Sequence, residues 1–95
     1  MVVGMGTLSL RLHGCRSLKE KRGVVKTYIN KIRNHFNASV AETGDNDIHQ
    51  RAVIGFAVVG NASTVVNAKL DKIVNLAEDV GLAEVTDADL EIMVL

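Results

Sequence analysis

The stretch from Thr7 to Glu20 constrains the fold most, because a strand pattern passes there directly into a helix start. Apolar and polar residues alternate over Thr7–His13, which predicts a strand with one buried face. Ser17 and Glu20 then have the spacing of a capping box, in which Ser17 caps a helix and Glu20 bonds back to that cap. We expect the helix to run to about His35.

The rest of the chain continues this alternation of strand and helix patterns. The further predicted elements are a strand at Phe36–Thr43, a turn at 43–47, a strand at Ile48–Val59, a helix that Asn61 or Ser63 caps and that ends at Val80 before Gly81, and a strand at Val85–Leu95. The order β-α-β-β-α-β predicts an α+β fold, a ferredoxin-like plait that spans residues 1–95 as a single domain. Right-handed crossovers place two helices on one face of a four-stranded antiparallel sheet, so the other face is open.

Each predicted helix has an apolar stripe that should pack on the sheet. In the first helix, the stripe consists of Leu18, Val25, Ile29 and Ile32, with Tyr28 at its edge. In the second helix, apolar residues recur at spacings of four and three, and these residues are Val66, Leu70, Ile73, Ala77 and Val80.

Length and composition bound the class of protein. A chain of 95 residues can bury one core, and a single cysteine excludes an internal disulfide. The first residues lack the basic region of a signal peptide, and the longest apolar run is far too short to span a membrane. We therefore expect a small, soluble, cytoplasmic domain that has no membrane partner.

Charge is unevenly distributed along the chain. Residues 1–40 carry a net charge of +7, whereas residues 41–95 carry −7. Cations crowd the first turn of the first helix, although the helix dipole favours anions there. Free N–H groups at a helix start, together with Lys and Arg, suit a phosphate group. The candidate residues for binding a nucleic acid or another anion are Arg16, Ser17, Lys19, Lys21, Arg22, Lys26 and Arg33.

These cations have a second interpretation, as solvated residues paired with the acidic half of the chain. The partners would then be Asp71, Glu78, Asp79 or Glu91. No acid lies four residues from Lys26 or Arg33, so pairing within the helix does not explain them. Only three residues are aromatic, so RNA contacts should be directed at phosphates rather than at stacked bases.

The open sheet face is a second candidate surface. The third strand is apolar on both faces, and its outward-facing set would form a patch typical of an interface. The predicted oligomer-interface residues are Val53, Gly55, Ala57 and Val59. The alternative is a modest patch that the long side chains of Arg11 and Arg51 screen.

Residues that could support catalysis or metal binding are few. His13 and Cys15 are two residues apart, but a nucleophile beside one base is too generic to predict catalysis, and two ligands do not make a metal site. We expect no catalytic residue, metal or cofactor. Gly14-Cys15-Arg16 resembles the phosphate loop of acylphosphatases, which share this fold, although the valine-glutamine-glycine-valine pattern of that family is absent. That resemblance implies a phosphohydrolase in which Arg16 and Asn61 act on an acyl phosphate.

The chain also resembles the YlxP-like family of small bacterial proteins. The residues that carry the resemblance are Arg16-Ser17-Leu18-Lys19-Glu20-Lys21-Arg22, Ser39-Val40-Ala41-Glu42, Gln50-Arg51-Ala52 and Gly55. The resemblance implies a ferredoxin-like fold and, because genes of that family commonly lie among those for ribosome maturation, a role near RNA or the ribosome. His49 stands where members often have tryptophan, so a stacking role at that position is not expected.

Three functions follow from the sequence, in order of preference. The first is a non-enzymatic protein that binds RNA or a ribosomal particle through its basic first helix. The second is a protein-interaction module that forms a homo-oligomer through the open sheet face. The third is an acylphosphatase-like phosphohydrolase.

Overall fold

The computed structural model describes all of residues 1–95. Its elements are β1 (Val2–Arg11), α1 (Leu18–His35), β2 (Ser39–Gly44), β3 (Arg51–Gly60), α2 (Ser63–Val80) and β4 (Glu84–Val94). The predicted order β-α-β-β-α-β is therefore confirmed.

The four strands form one antiparallel sheet in the order β2-β3-β1-β4. Both helices pack on the same face, with α1 over β2 and β3 and α2 over β1, β3 and β4. This arrangement is the ferredoxin-like plait that the sequence predicts. The second face of the sheet carries no helix, and we call it the open face.

The core lies between the helices and the inner face of the sheet. Leu8, Ile54, Val66, Leu70 and Ile73 are fully buried there. Tyr28 lies at the centre of this core rather than at its edge, and it is also completely buried. Its hydroxyl explains that position, because Oη donates to Ala83 O at 3.2 Å and accepts from Ala83 N at 2.8 Å.

The first strand begins five residues earlier than its alternating pattern indicates. Val2–Gly6 lacks that pattern because Gly4 and Gly6 occupy inward positions, Gly4 beneath α2 and Gly6 beside Phe56 and Leu90. A Cβ atom on Gly4 would lie 2.5 Å from Val66 Cγ1 and 3.0 Å from Leu70 Cδ1. Glycine at position 4 thus allows α2 to approach the sheet closely.

Three of the four helix ends lie where the sequence predicts them. Ser17 caps α1, with its Oγ accepting a hydrogen bond from Glu20 N at 3.1 Å. Glu20 reaches back as predicted, but its carboxylate accepts from Arg16 N at 2.9 Å rather than from the cap residue itself. The prediction that Asn61 or Ser63 caps α2 is wrong, because Ala62 occupies that position without a side-chain bond. Gly81 ends α2 with a φ of 70°.

Two connections meet at the end of the sheet where α1 begins. Residues 12–17 join β1 to α1, and residues 45–50 join β2 to β3. Leu12 N donates to Gln50 O at 2.8 Å, and Gln50 Nε2 donates to Cys15 O at 3.3 Å. Lys21 Nζ donates to the carbonyl of Asp45. These three bonds hold the start of α1 against the β2–β3 loop.

Candidate functional site

Four exposed cations follow one side of α1 from just before its first turn to its middle. They are Arg16, Lys19, Arg22 and Lys26, and we call them the basic ridge. None of the four lies within 4.0 Å of a carboxylate oxygen. The carboxylate of Glu20 is the nearest acid along the helix, and it bonds to the backbone of Arg16. The ridge therefore presents positive charge to solvent without a partner from the chain.

The start of α1 combines this charge with the field of the helix. The capped helix N-terminus carries partial positive charge, and Lys19 and Arg22 add to it, whereas Glu20 in the first turn offsets part of it. Ser17 fixes where the helix begins and therefore where Arg16 and Lys19 project. Such a combination attracts an anion of the phosphate type.

Lys21 is not part of this surface, which corrects the prediction from sequence. Its side chain is 0% exposed, and its Nζ lies 3.0 Å from Glu42 Oε2 on β2. Lys21, Val25, Tyr28 and Ile32 are the buried residues of α1, and they recur at spacings of four, three and four. The helical period alone therefore places Lys21 on the buried side, about 200° round the helix from Lys19.

Arg33 continues the line of the ridge but is partly engaged. Its Nη2 donates to the carbonyl of Val40 at 3.1 Å, at the start of β2. It lies in the last turn of α1, where a cation suits the helix dipole. Arg33 thus has a structural role in joining α1 to β2, and its remaining N–H groups are available to a ligand.

The acidic residues of β4 lie apart from the ridge. Asp87, Asp89 and Glu91 pair with Ser9, Thr7 and Met5 of β1, and this register places all three on the open face of β4. Strand β4 is the sheet edge farthest from α1, which packs over β2 and β3. The basic ridge and these three acids of β4 are therefore separated in space.

The open face carries the four residues that the parity of β3 predicts there. Val53, Gly55 and Ala57 are half-buried, and Val59 is 57% exposed. A shallow depression of about 710 Å³ lies over the middle of this face, between Thr7, Ala41, Ala57 and Asp89. Small side chains form its floor and acids of β4 form one side.

The residues of the enzymatic hypothesis do not converge. Cys15 is 8% exposed, and its Sγ donates to Ser17 O at 3.4 Å. His13 Nε2 instead contacts Glu84 Oε1 at 2.9 Å. Arg16 follows the end of β1 that pairs with the start of β3, whereas Asn61 follows the other end of β3. A ten-residue strand is roughly 30 Å long, so Arg16 and Asn61 cannot hold one acyl phosphate between them.

The chain contains neither a metal-ligand cluster nor a helix suited to cross a membrane. No group of three or more His, Cys, Asp or Glu side chains lies close enough to hold a metal ion. Neither helix combines the length and the apolar character that crossing a bilayer requires.

Comparisons with known proteins agree with the fold and the sequence motifs. Over 97% of its length, the chain resembles the crystal structure of a protein described as a candidate chlorite dismutase, with a TM-score of 0.52 and 10% identity. The chain spans 44% of that protein, and the likeness shows the fold alone. It is also 31% identical over 72 residues to the uncharacterised protein YlxP of Bacillus subtilis, which covers 76% of this chain and 78% of that protein. The model of DUF503, a family of proteins of unknown function, matches residues 3–90, and the chain therefore belongs to this YlxP-like family.

Proposed function

We propose that this chain is a non-enzymatic cytoplasmic protein that docks on structured RNA, alone or in a ribosomal particle, through the basic ridge of α1. Arg16, Lys19, Arg22 and Lys26 contact backbone phosphates, and Arg33 adds a further contact at the far end of the helix. Ser17 orients the first turn. Binding of this kind recognises phosphates and shape rather than base sequence.

One observation carries the proposal. The four ridge cations are exposed and unpaired although the chain contains as many acids as bases. If the charges served only solubility, acids of the second half would be expected to interleave with them. Instead the acids of β4 lie on another face, so the long-range field of the molecule directs a polyanion to α1.

The distribution of aromatic residues supports a phosphate-directed mode. The open face of a sheet that binds RNA by stacking carries aromatic side chains at its centre. Here the only two phenylalanines are Phe56, which is buried under the helices, and Phe36 at the end of α1, while Tyr28 is in the core. Binding should therefore depend steeply on salt, through the counterions that phosphate contacts release.

The direct test measures the affinity of the protein for purified bacterial ribosomal RNA over a series of salt concentrations. The triple variant Lys19→Glu, Arg22→Glu, Lys26→Glu should lose binding at moderate salt, and the slope of log affinity against log salt should become shallower by about two to three units. The fold should stay intact because all three side chains are exposed. A circular dichroism spectrum that matches that of the unmodified protein would show this.

A control variant reverses two charges on the other helix, against three in the ridge variant. Lys69→Glu plus Lys72→Glu changes α2, which carries no ridge residue, and should leave most of the affinity in place. If both variants lost RNA affinity equally, net charge alone would explain the effect, and this result would contradict docking through α1. Unchanged binding in the triple variant would reject the proposal outright.

A second candidate is an oligomerisation module that uses the open face. It is favoured by the apolar and small residues that the sheet leaves uncovered, above all Val59 and its neighbours Val53, Gly55 and Ala57. Two such faces would bury each other sheet to sheet, as in a β-sandwich. The acids of β4 limit this mode, because three carboxylates border the face.

Light scattering separates this candidate from the first. A homo-oligomer should dissociate in the variant Val53→Asp plus Ala57→Asp, since two carboxylates would be buried in the interface. RNA affinity per chain should be unchanged in that variant if α1 alone docks. A monomer in the unmodified protein at high concentration would exclude the oligomer.

A further inference from the structure

Two arginines face each other across the central strands of the open face. Arg11 of β1 and Arg51 of β3 are direct cross-strand partners, and both side chains are exposed. They lie on the same face of the sheet as Val53 and Ala57, so they project away from the helices. Like charges directly opposite each other on an antiparallel pair repel. The register thus places two arginines opposite each other on neighbouring strands, although like charges there repel.

The chain supplies neither arginine with a counterion. Neither guanidinium lies within 4.0 Å of a carboxylate oxygen or donates a hydrogen bond to the protein. Glu84 is the β4 partner of Arg11 in the register, but its carboxylate is bound by His13 at 2.9 Å. Asp87 lies on the same face opposite Ser9 and makes no ion pair. The sheet therefore positions the pair, and no carboxylate forms an ion pair with either arginine.

The two arginines border a hollow of about 700 Å³ at this end of the sheet. The β2–β3 loop, with Asp45 and Gln50, forms one side, and Thr86 and Asp87 of β4 form the other. Guanidinium groups present planar forks of donors that match the oxygens of a phosphate group. The two aspartates repel anions, so a ligand must lie over the arginines rather than fill the hollow.

We propose that Arg11 and Arg51 form a phosphate clamp, and that the phosphate belongs to the RNA backbone. The source of the phosphate rests on the proposed function, whereas the clamp itself rests on the register. The β2–β3 loop beside the clamp is bonded to the start of α1 through Gln50 and Cys15. RNA therefore passes round this end of the sheet and contacts both the basic ridge and the open face.

The experiment has two arms, each comparing the unmodified protein with Arg11→Ala plus Arg51→Ala. In the first arm, the salt dependence of binding to ribosomal RNA should become shallower by about one to two units in the variant. In the second arm, inorganic phosphate is titrated into isotopically labelled protein, and NMR follows the chemical shifts of the backbone amides. The amide signals of residues 9–12 and 50–52 should shift only in the protein that has both arginines. Arg51→Lys keeps the charge but loses the fork, and it should bind phosphate more weakly than the unmodified protein.

The charge-matched control is Lys69→Ala plus Lys72→Ala, which removes two cations from α2 and should alter neither arm. Asp87→Asn should strengthen phosphate binding. If the arginine variant keeps both the full salt slope and the phosphate shifts, the clamp is refuted.

The two proposals can fail separately. Phosphate shifts that depend on the arginines, in a protein that binds no RNA, would support the clamp and reject the proposed function. Loss of RNA binding in the ridge variant, with no effect of the arginine variant in either arm, would support the function and refute the clamp.

Discussion

Lys21 of α1 and Glu42 of β2 form an ion pair of 3.0 Å, with the lysine side chain fully buried beneath the helix. The same Nζ donates to the carbonyl of Asp45. One ammonium group thus joins α1 to β2 and to the loop that follows it. Removing one member of a buried pair is far more damaging than its net contribution suggests, because the other charge remains buried.

Lys21→Met should lower the free energy of unfolding by about 3 kcal/mol, since it leaves the carboxylate of Glu42 without its partner at 16% exposure. Chemical denaturation measures this change. The double variant Lys21→Met plus Glu42→Leu should recover most of the loss. Lys26→Met on the exposed ridge is the control and should change stability by less than about 0.5 kcal/mol. An equal effect at both lysines would contradict the buried pair.

Ser17→Ala should destabilise the protein by about 1 kcal/mol, because the N–H of Glu20 loses the oxygen that caps α1. Ser63→Ala provides the comparison, since Ser63 begins α2 without capping it. Thermal unfolding of the two variants should therefore differ, with the lower midpoint in Ser17→Ala. Identical midpoints would show that the cap does not stabilise α1.

Burial raises the pKa of Tyr28 above its usual 10.0, and hydrogen bonds with the backbone of Ala83 and Leu82 offset part of this shift. A phenol that stays protonated in the fold while the unfolded chain ionises makes stability fall as pH rises above about 10, with the full contribution present below it. Tyr28 is the only tyrosine, and there is no tryptophan, so the ultraviolet absorbance of tyrosinate reports this group alone. Titration at the ordinary pKa would contradict its burial.

Gly4→Ala and Gly23→Ala should change stability in opposite directions. The added methyl group at position 4 would meet Val66 Cγ1 at 2.5 Å in the packed core, at a cost of about 1–3 kcal/mol. At position 23, in the exposed middle of α1, nothing lies within 4 Å, and alanine should stabilise the helix by about 0.5–1 kcal/mol. Denaturation midpoints compare the two. A loss at position 23 would indicate an unrecognised contact of α1.

The sequence predicts element order and helix ends well because these depend on local patterns. The alternation before His13, the cap at Ser17 and the αL glycine at position 81 each act over a few residues. The start of β1 cannot be predicted from such a pattern, since Gly4 and Gly6 stand where alternation requires apolar residues. The reason for Gly4 lies in Val66 and Leu70 of α2, and the reason for Gly6 lies in Phe56 and Leu90, all distant in the sequence.

The candidate site likewise has one part that local patterns predict and another that only the packing of distant elements creates. The exposed cations of α1 are predictable from their position on the helix, and Lys21 could have been excluded from the same helical period. Its partner Glu42 could not, because only the packing of β2 against α1 brings the two together. The opposition of Arg11 and Arg51 requires the exact register of β1 and β3, which no local pattern contains.

Three hydrogen bonds tie the β1–α1 connection and the start of α1 to the β2–β3 loop, so ligands on the two proposed surfaces would be thermodynamically linked. A ligand that immobilises Gln50 would also restrict the residues that lead to Ser17. A second ligand at the start of α1 would then lose less conformational entropy on binding. If occupation of one surface raises the affinity of the other, reciprocity requires the same factor in the opposite direction. Positive cooperativity would then arise without any change in the backbone.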